Sequence, residues 1–232
     1  MTEPSNLKQV SSQWQTQWGS GYIALSKMGS ASAEITAKNF IRCANIKPMS
    51  KILDMGCGHG RVTELLVKHT AGLDVVGIDL TRQLLDSFGI ESGTNDCDLM
   101  LVEANIEVKC LPFADGEFDA AVSSRVFHYL HDPMACLMEA RRVVKVGGVV
   151  AISVPNRLNP VKWLTYRRAK LCSPAEVAHW FSACGFHHIA VRTMCFLPSS
   201  FSWHGLAYAT ELAGELPALG MLGGNVLVCG SV

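Results

Sequence analysis

The stretch Ile52-Leu-Asp-Met-Gly-Cys-Gly-His-Gly-Arg61 decides the fold. A short apolar run, Lys51-Ile-Leu-Asp54, ends at glycines 56, 58 and 60, and Arg61 to Thr70 then places Val62, Leu65, Leu66 and His69 at helical spacing. A strand therefore passes into a helix through a turn whose glycines permit a sharp bend and let a ligand approach the backbone without Cβ interference. In a sheet of parallel strands such a turn lies at the carboxyl edge, near the switch point where these folds bind ligands. The dinucleotide fingerprint G-x-G-x-x-G is not met. The third glycine comes one position early, and Arg61 occupies the place where close helix–strand packing wants glycine, which argues against NAD. A Walker loop would need Gly-Lys-Ser/Thr, and the stretch has none.

Outward from this turn, apolar runs alternate with helical patterns. Asp74–Asp79 is a second run, followed by a Thr81-led helical segment with Leu84, Leu85 and Phe88. Leu99–Val102, Phe118–Val122 and Val149–Val154 are the third to fifth runs, with a helix expected over Pro133–Val144. Continuous apolar runs predict strands buried on both faces, as in parallel sheets, and the alternation with helices predicts βαβ units. Ser173-Pro174-Ala175-Glu176 then opens a helix with the spacing of a capping box and proline at its first position, ending at Gly185. Two strand candidates, His188–Phe196 and Asn225–Cys229, follow without a helix after each, and an amphipathic helix is expected from about Ala31 to Ala44. The expectation is an α/β fold, a Rossmann-like doubly wound seven-stranded sheet, mostly parallel, with a C-terminal antiparallel hairpin.

The 232 residues suit one domain, 1–232, with 1–48 as an N-terminal helical cap and 157–172 and 197–224 as substrate-side insertions. Apolar residues make up 49% and charged ones 17%, which excludes a disordered chain. Twenty basic residues cancel twenty acidic ones, so no global attraction to nucleic acid or an anionic membrane is indicated. The nine cysteines are irregularly spaced with no Cys-x-x-Cys, and read as reduced small hydrophobes of a cytoplasmic protein. The N-terminal residues are polar without a signal core, and no apolar run of about 18 residues spans a membrane.

Asp79 closes the second run, where an acidic side chain is placed to accept hydrogen bonds from a ribose diol. With Asp79 added, the segments ILDMGCGHGRVTELL, VVGIDLT and LPFADGEFDAAVSSRVFHYLHDPMACLMEARRVVKVGGVVAISVPN resemble the class I S-adenosylmethionine-dependent methyltransferases, most closely the subgroup acting on small molecules. The resemblance is specific over about residues 50–155. It implies S-adenosyl-L-methionine as cofactor and S-adenosyl-L-homocysteine as product. It implies further that Asp54, Gly56, Cys57, Gly58 and Gly60 face the methionine part, with Asp54 near its amino group, and that Asp79 holds the ribose with Leu80 on the adenine. Ser123 is expected beside the methionine part. Glu103-Ala-Asn-Ile-Glu departs from the family's pattern, so Asn105 or Glu107 meets the adenine, Asn105 with Ile106 being favoured.

Methyl transfer from a sulfonium needs an in-line nucleophile and a dry, shaped site, with a base where the nucleophile carries a proton. His128 is the candidate base, against the alternative that it only shapes the pocket. Arg125 to His128 are expected at the entrance, with Tyr129 beside them. Trp14, Trp18 and Tyr22 are candidates for a lid, and Trp203 in the 197–224 insertion for a wall against an apolar substrate, each against simple packing. No metal is expected. Arg157, Lys162, Arg167, Arg168 and Lys170 read as a solvated helix, a small-anion clamp or an RNA footprint. The expected function is transfer to an O, N or C nucleophile of a small, fairly apolar metabolite by a monomer or homodimer. Alternatives are a methyltransferase acting on protein or RNA, or a non-catalytic cofactor-binding subunit.

Overall fold

Seven strands form one sheet in the order β3-β2-β1-β4-β5-β7-β6 in a computed structural model that describes residues 31–89, 94–107, 110–165, 170–195 and 221–232. Helix α1 (Ala31–Cys43) precedes β1 (Lys51–Met55), α2 (Arg61–His69) and β2 (Asp74–Asp79). Then come α3 (Arg82–Asp86), β3 (Asp98–Glu103), β4 (Phe118–Ser124), α4 (Pro133–Val143), β5 (Val144–Pro155), α5 (Pro160–Thr165), α6 (Pro174–Ala183), β6 (His187–Met194) and β7 (Asn225–Ser231). Strands β1 to β5 are parallel, and β7 runs antiparallel to both β5 and β6. The expected mixed sheet with its terminal hairpin is the one observed.

The period-two geometry of a strand splits each apolar run between two cores. Ile52, Val75, Ala120, Val122, Ala151 and Leu227 face one side, packing with Phe40 of α1 and Leu66 of α2. Leu53, Val76, Ala121, Val150, Val226 and Val228 face the other, with Leu137 of α4 and Phe181 of α6. The third run departs from expectation: β3 lies at the edge of the sheet and is nowhere fully buried, β2 being its one partner among the described strands. The capping box of α6 forms as its spacing predicted, with Ser173 Oγ accepting the N–H of Glu176 at 3.2 Å. Gly185 ends that segment at φ 77°.

Two polar clusters brace the sheet away from its carboxyl edge. Arg142 donates to the Phe113 and Leu111 carbonyls at 3.0 and 3.2 Å and pairs with Glu139, whose Oε1 accepts the Leu111 N–H at 2.5 Å. Lys51 bridges Glu117 at 3.0 Å and Asp74 at 3.6 Å. Together they fix the loop that leads from the β3 side into β4.

Candidate functional site

The turn from β1 to α2 is built as its glycines predict. Gly56, Gly58 and Gly60 have φ of 76°, 59° and 84°, in the left-handed region. Two of them also lack room for a side chain: a Cβ on Gly56 would stand 2.3 Å from Val126 Cγ2, and one on Gly60 2.5 Å from the Phe88 ring. Gly58 is different: among the described residues a Cβ there would meet Leu84 Cδ1 at 3.9 Å, an ordinary contact. The turn at Gly58 is thus uncrowded among the described residues, with room for a ligand to approach.

Asp79, at the end of β2, holds this turn. Its Oδ2 accepts the Gly58 N–H at 2.9 Å and its Oδ1 accepts the Thr81 N–H at 2.8 Å. Burial raises its carboxyl above the ordinary value, partly offset by those bonds. Asp54, at the end of β1, is buried and accepts the Thr63 hydroxyl at 2.6 Å. Burial, with the Asp79 charge adding to it, pushes Asp54 up to about 6. Cys57 lies beside both carboxylates, and burial and their charges hold its thiol well above the ordinary range. The raised thiol disfavours the reactive thiolate form.

The segment after β3 returns to the same edge, with Ala104 N–H donating to the Asp79 carbonyl at 3.1 Å. Glu107 Oε1 accepts the N–H groups of His131 and Asp132 at 2.7 and 3.1 Å, which ties it to the turn before α4. Asn105 remains on the Asp79 side, half-buried, its Oδ1 accepting the Glu107 N–H at 2.9 Å, with Ile106 buried beside it. Leu80 is half-buried directly after Asp79. Ser123 is wholly buried and donates to the Met55 carbonyl at 2.7 Å, so its hydroxyl links β4 to β1.

The residues after β4 need one correction. Arg125 is half-buried with φ 59°, its N–H bonded to the Ser153 carbonyl at 2.8 Å. Tyr129 is 38% exposed, whereas His128 is 3% exposed and lies inward instead of at an entrance. Its ring packs on Tyr129 with centroids 3.9 Å apart. Burial, then the charges of Arg125 and Lys162, push it down to about 3, so it is neutral at physiological pH but a weak proton acceptor. The basic 157–170 stretch is also divided. Arg157 and Lys170 pair with Glu176 of α6 at 3.2 and 3.3 Å, while Lys162 turns toward Gly224 at the start of β7. Trp14, Trp18, Tyr22, Trp203, Arg167 and Arg168 lie outside the described residues.

Sequence reading did not single out Thr63, and Phe88 and Val126, named there only as a helix-stripe and an entrance residue, join it in clamping the glycine turn and its carboxylate. Their signal was weak, because each acts through a partner distant in sequence.

Residues 53–152 match the family described as "Methyltransferase domain". This match, with methyltransferases among the relatives and structural neighbours, supports a class I S-adenosylmethionine-dependent methyltransferase domain. The methyltransferase domain is 32% identical over 114 residues to an uncharacterized methyltransferase of Schizosaccharomyces pombe, covering 45% of this chain and 40% of that one. A ubiquinone biosynthesis O-methyltransferase of Cereibacter sphaeroides is 27% identical over 169 residues, 66% of each chain. The chain thus spans between two fifths and two thirds of the length of these two relatives. Among solved structures, a chain from the complex between the Haloferax volcanii Trm112 methyltransferase activator and a methyltransferase superposes with TM-score 0.67 at 19% identity, covering 96% of each. Geranyl diphosphate C-methyltransferase of Streptomyces coelicolor superposes at 0.60 and 17% identity, covering 84% of this chain and 78% of that one.

The residues of the matched domain could hold S-adenosylmethionine, the cofactor its family implies. The open backbone at Gly58 admits a ligand, Asp79 retains acceptor capacity on both oxygens, and Asp54 is a buried carboxylate that a cationic amino group would favour in its ionised form.

Proposed function

We propose that this chain transfers a methyl group from S-adenosylmethionine to an O, N or C nucleophile of a small, fairly apolar metabolite by in-line displacement. The observation that carries the reading is the pair Asp54 and Asp79 set against the open Gly58 backbone. In this reading Asp54 receives the amino group of the methionine part and Asp79 the ribose hydroxyls. Leu80 packs on the adenine, with Asn105 and Ile106 at its edge. The tie between Glu107 and the turn before α4 supports Asn105 over Glu107. Gly56, Cys57 and Gly60 shape the turn, and Ser123 keeps β4 and β1 aligned beneath it.

The bound cofactor supplies an already activated methyl group, so the protein's task is positioning and exclusion of water. His128, neutral and packed on Tyr129, shapes the acceptor side beside Arg125, and its low proton affinity favours that role over a strong general base. Relatives named for ubiquinone and hydroquinone methylation support a small acceptor with an apolar body. Zero net charge supports the same choice over nucleic acid. We read the chain as a single domain with the 1–48 cap and the 157–172 and 197–224 insertions on the substrate side, Trp18, Tyr22 and Trp203 lining it. Nine free thiols support a reducing compartment such as the cytoplasm, and no helix among the described residues is long and apolar enough to cross a membrane.

The test is calorimetric binding of S-adenosylhomocysteine to the protein and to Asp79→Ala, followed by methyl-label transfer into a size-fractionated extract. Loss of binding in the variant and label in the low-mass fraction are expected. Undiminished binding would refute the ribose assignment, and label only in protein or RNA would refute the substrate class.

A further inference from the structure

Two cations flank the carboxyl end of β5 from opposite sides. On one side Arg125 leaves β4, its backbone bonded to Ser153 of β5 and held in a left-handed conformation at φ 59°. A bulky side chain in that region is strained, and such strain persists where surrounding structure enforces it. On the other side Lys162 lies over the start of β7: a Cβ on Gly224 would stand 2.9 Å from its Cε and 3.5 Å from its Nζ. The support under Lys162 is rigid. Asn156, wholly buried, donates to the Gly223 and Met221 carbonyls at 2.7 and 2.9 Å, and Asn159 donates to that of Leu222 at 2.6 Å. Strands β4 and β7 are the two neighbours of β5, so their ends lie two strand spacings apart, about 9–10 Å, within reach of two long side chains.

The buried His128 lies within electrostatic reach of both cations. Both positive charges act on its imidazole, and that of Arg125 acts on Lys162 as well. An anion received by a planar guanidinium and an ammonium gains charge-assisted hydrogen bonds from both. Val126, next to Arg125, packs against Gly56 of the cofactor turn, so this place adjoins the methyl donor.

We infer that Arg125 and Lys162 form a subsite for a carboxylate or phosphate on the methyl acceptor, seated over the end of β5. The inference rests on the proposed methyltransferase reading and refines it: the acceptor has an apolar body and one anionic handle. Arg125 supplies a planar fork and Lys162 a point charge, a combination suited to either anion.

Benzoate and inorganic phosphate, titrated separately by calorimetry with and without S-adenosylhomocysteine, test the subsite and tell the two anions apart. Saturable binding of at least one is expected, weakened at least tenfold by Arg125→Gln and by Lys162→Met and retained by Lys162→Arg. The affinity of each variant for S-adenosylhomocysteine should stay within twofold, which reports that the fold is intact. Stronger benzoate binding would mark a carboxylate acceptor, and stronger phosphate binding a phosphorylated one. Absence of saturable binding of either anion, or equal binding by the charge-removing variants, overturns the subsite. Failure of the protein to bind S-adenosylhomocysteine overturns the cofactor reading instead, and the titrations without it still decide the anion question.

Discussion

Thr63 donates its hydroxyl hydrogen to Oδ2 of Asp54 at 2.6 Å, and both residues are buried. This bond favours the ionised carboxyl against the burial that raises it, so Thr63 reaches the cofactor site through Asp54. Asp54 is pushed from the ordinary 3.8 up to about 6, and the direction of that shift fixes its effect on stability. Its contribution is fully present below 3.8 and is lost as pH rises through about 6. Asp54→Asn should therefore stabilise the ligand-free protein by about 1–3 kcal/mol near pH 7.5, vanish as an effect near pH 4, and weaken S-adenosylmethionine binding at least tenfold. Thermal melts at the two pH values, with and without ligand, check this, and an unstabilised variant at pH 7.5 would refute it.

Gly56 and Gly58 should separate folding from binding. Both substitutions to alanine carry the left-handed penalty of about 1–2 kcal/mol. Gly56→Ala adds a collision with Val126, whereas Gly58→Ala meets only Leu84 at 3.9 Å. Gly58→Ala is expected to fold and lose ligand affinity, and Gly56→Ala to lose several kcal/mol of stability, as overpacked sites do at about 1–3 kcal/mol beyond the backbone strain. Denaturant titration beside calorimetry distinguishes them.

His128 should not titrate near neutrality. Burial and two neighbouring cations push it from 6.5 down to about 3, so its ring proton resonance is expected to stay flat from about pH 5 to 9. The folded state then binds fewer protons than the unfolded one below 6.5, and stability falls as pH drops through that value. His128→Gln should flatten this slope. A ring signal titrating near 6.5 would return His128 to candidacy as a base.

Arg142 and Glu139 hold the loop that precedes β4. The Arg142 guanidinium and the Leu111 N–H keep Glu139 below its ordinary value, so its stabilisation is present above that value and lost as pH falls through the lowered one. Arg142→Ala leaves a largely buried carboxylate behind and should destabilise by about 2–4 kcal/mol. Urea titrations at pH 7 and pH 4 are expected to show a smaller difference between variant and parent at the lower pH.

The glycine turn, Asp79 and the Ser173 capping box were legible because their signals are local: spacing within a few residues states the backbone geometry. The burial of β3 was misread because an apolar run does not announce whether it lies at a sheet edge. His128 read as an entrance residue because adjacency in sequence to Arg125 says nothing about which of them turns inward. The pairing of Arg157 and Lys170 with Glu176 depends on α6 folding back against the 157–170 stretch, which composition alone does not reveal. The link from Thr63 to Asp54 joins a helix to a strand across the turn and shows only once both are placed.

The insertion of β7 between β5 and β6 bears on the order in which the molecule assembles. β6 is made before β7 and pairs, among the described strands, with β7 alone, so that pairing waits until some thirty later residues have emerged. Until then β5 presents a bare edge of backbone donors and acceptors along one flank. A half-sheet thus stays open to stray pairing until β7 is made, and closure is a long-range step of the kind that slows folding and exposes nascent chains to aggregation.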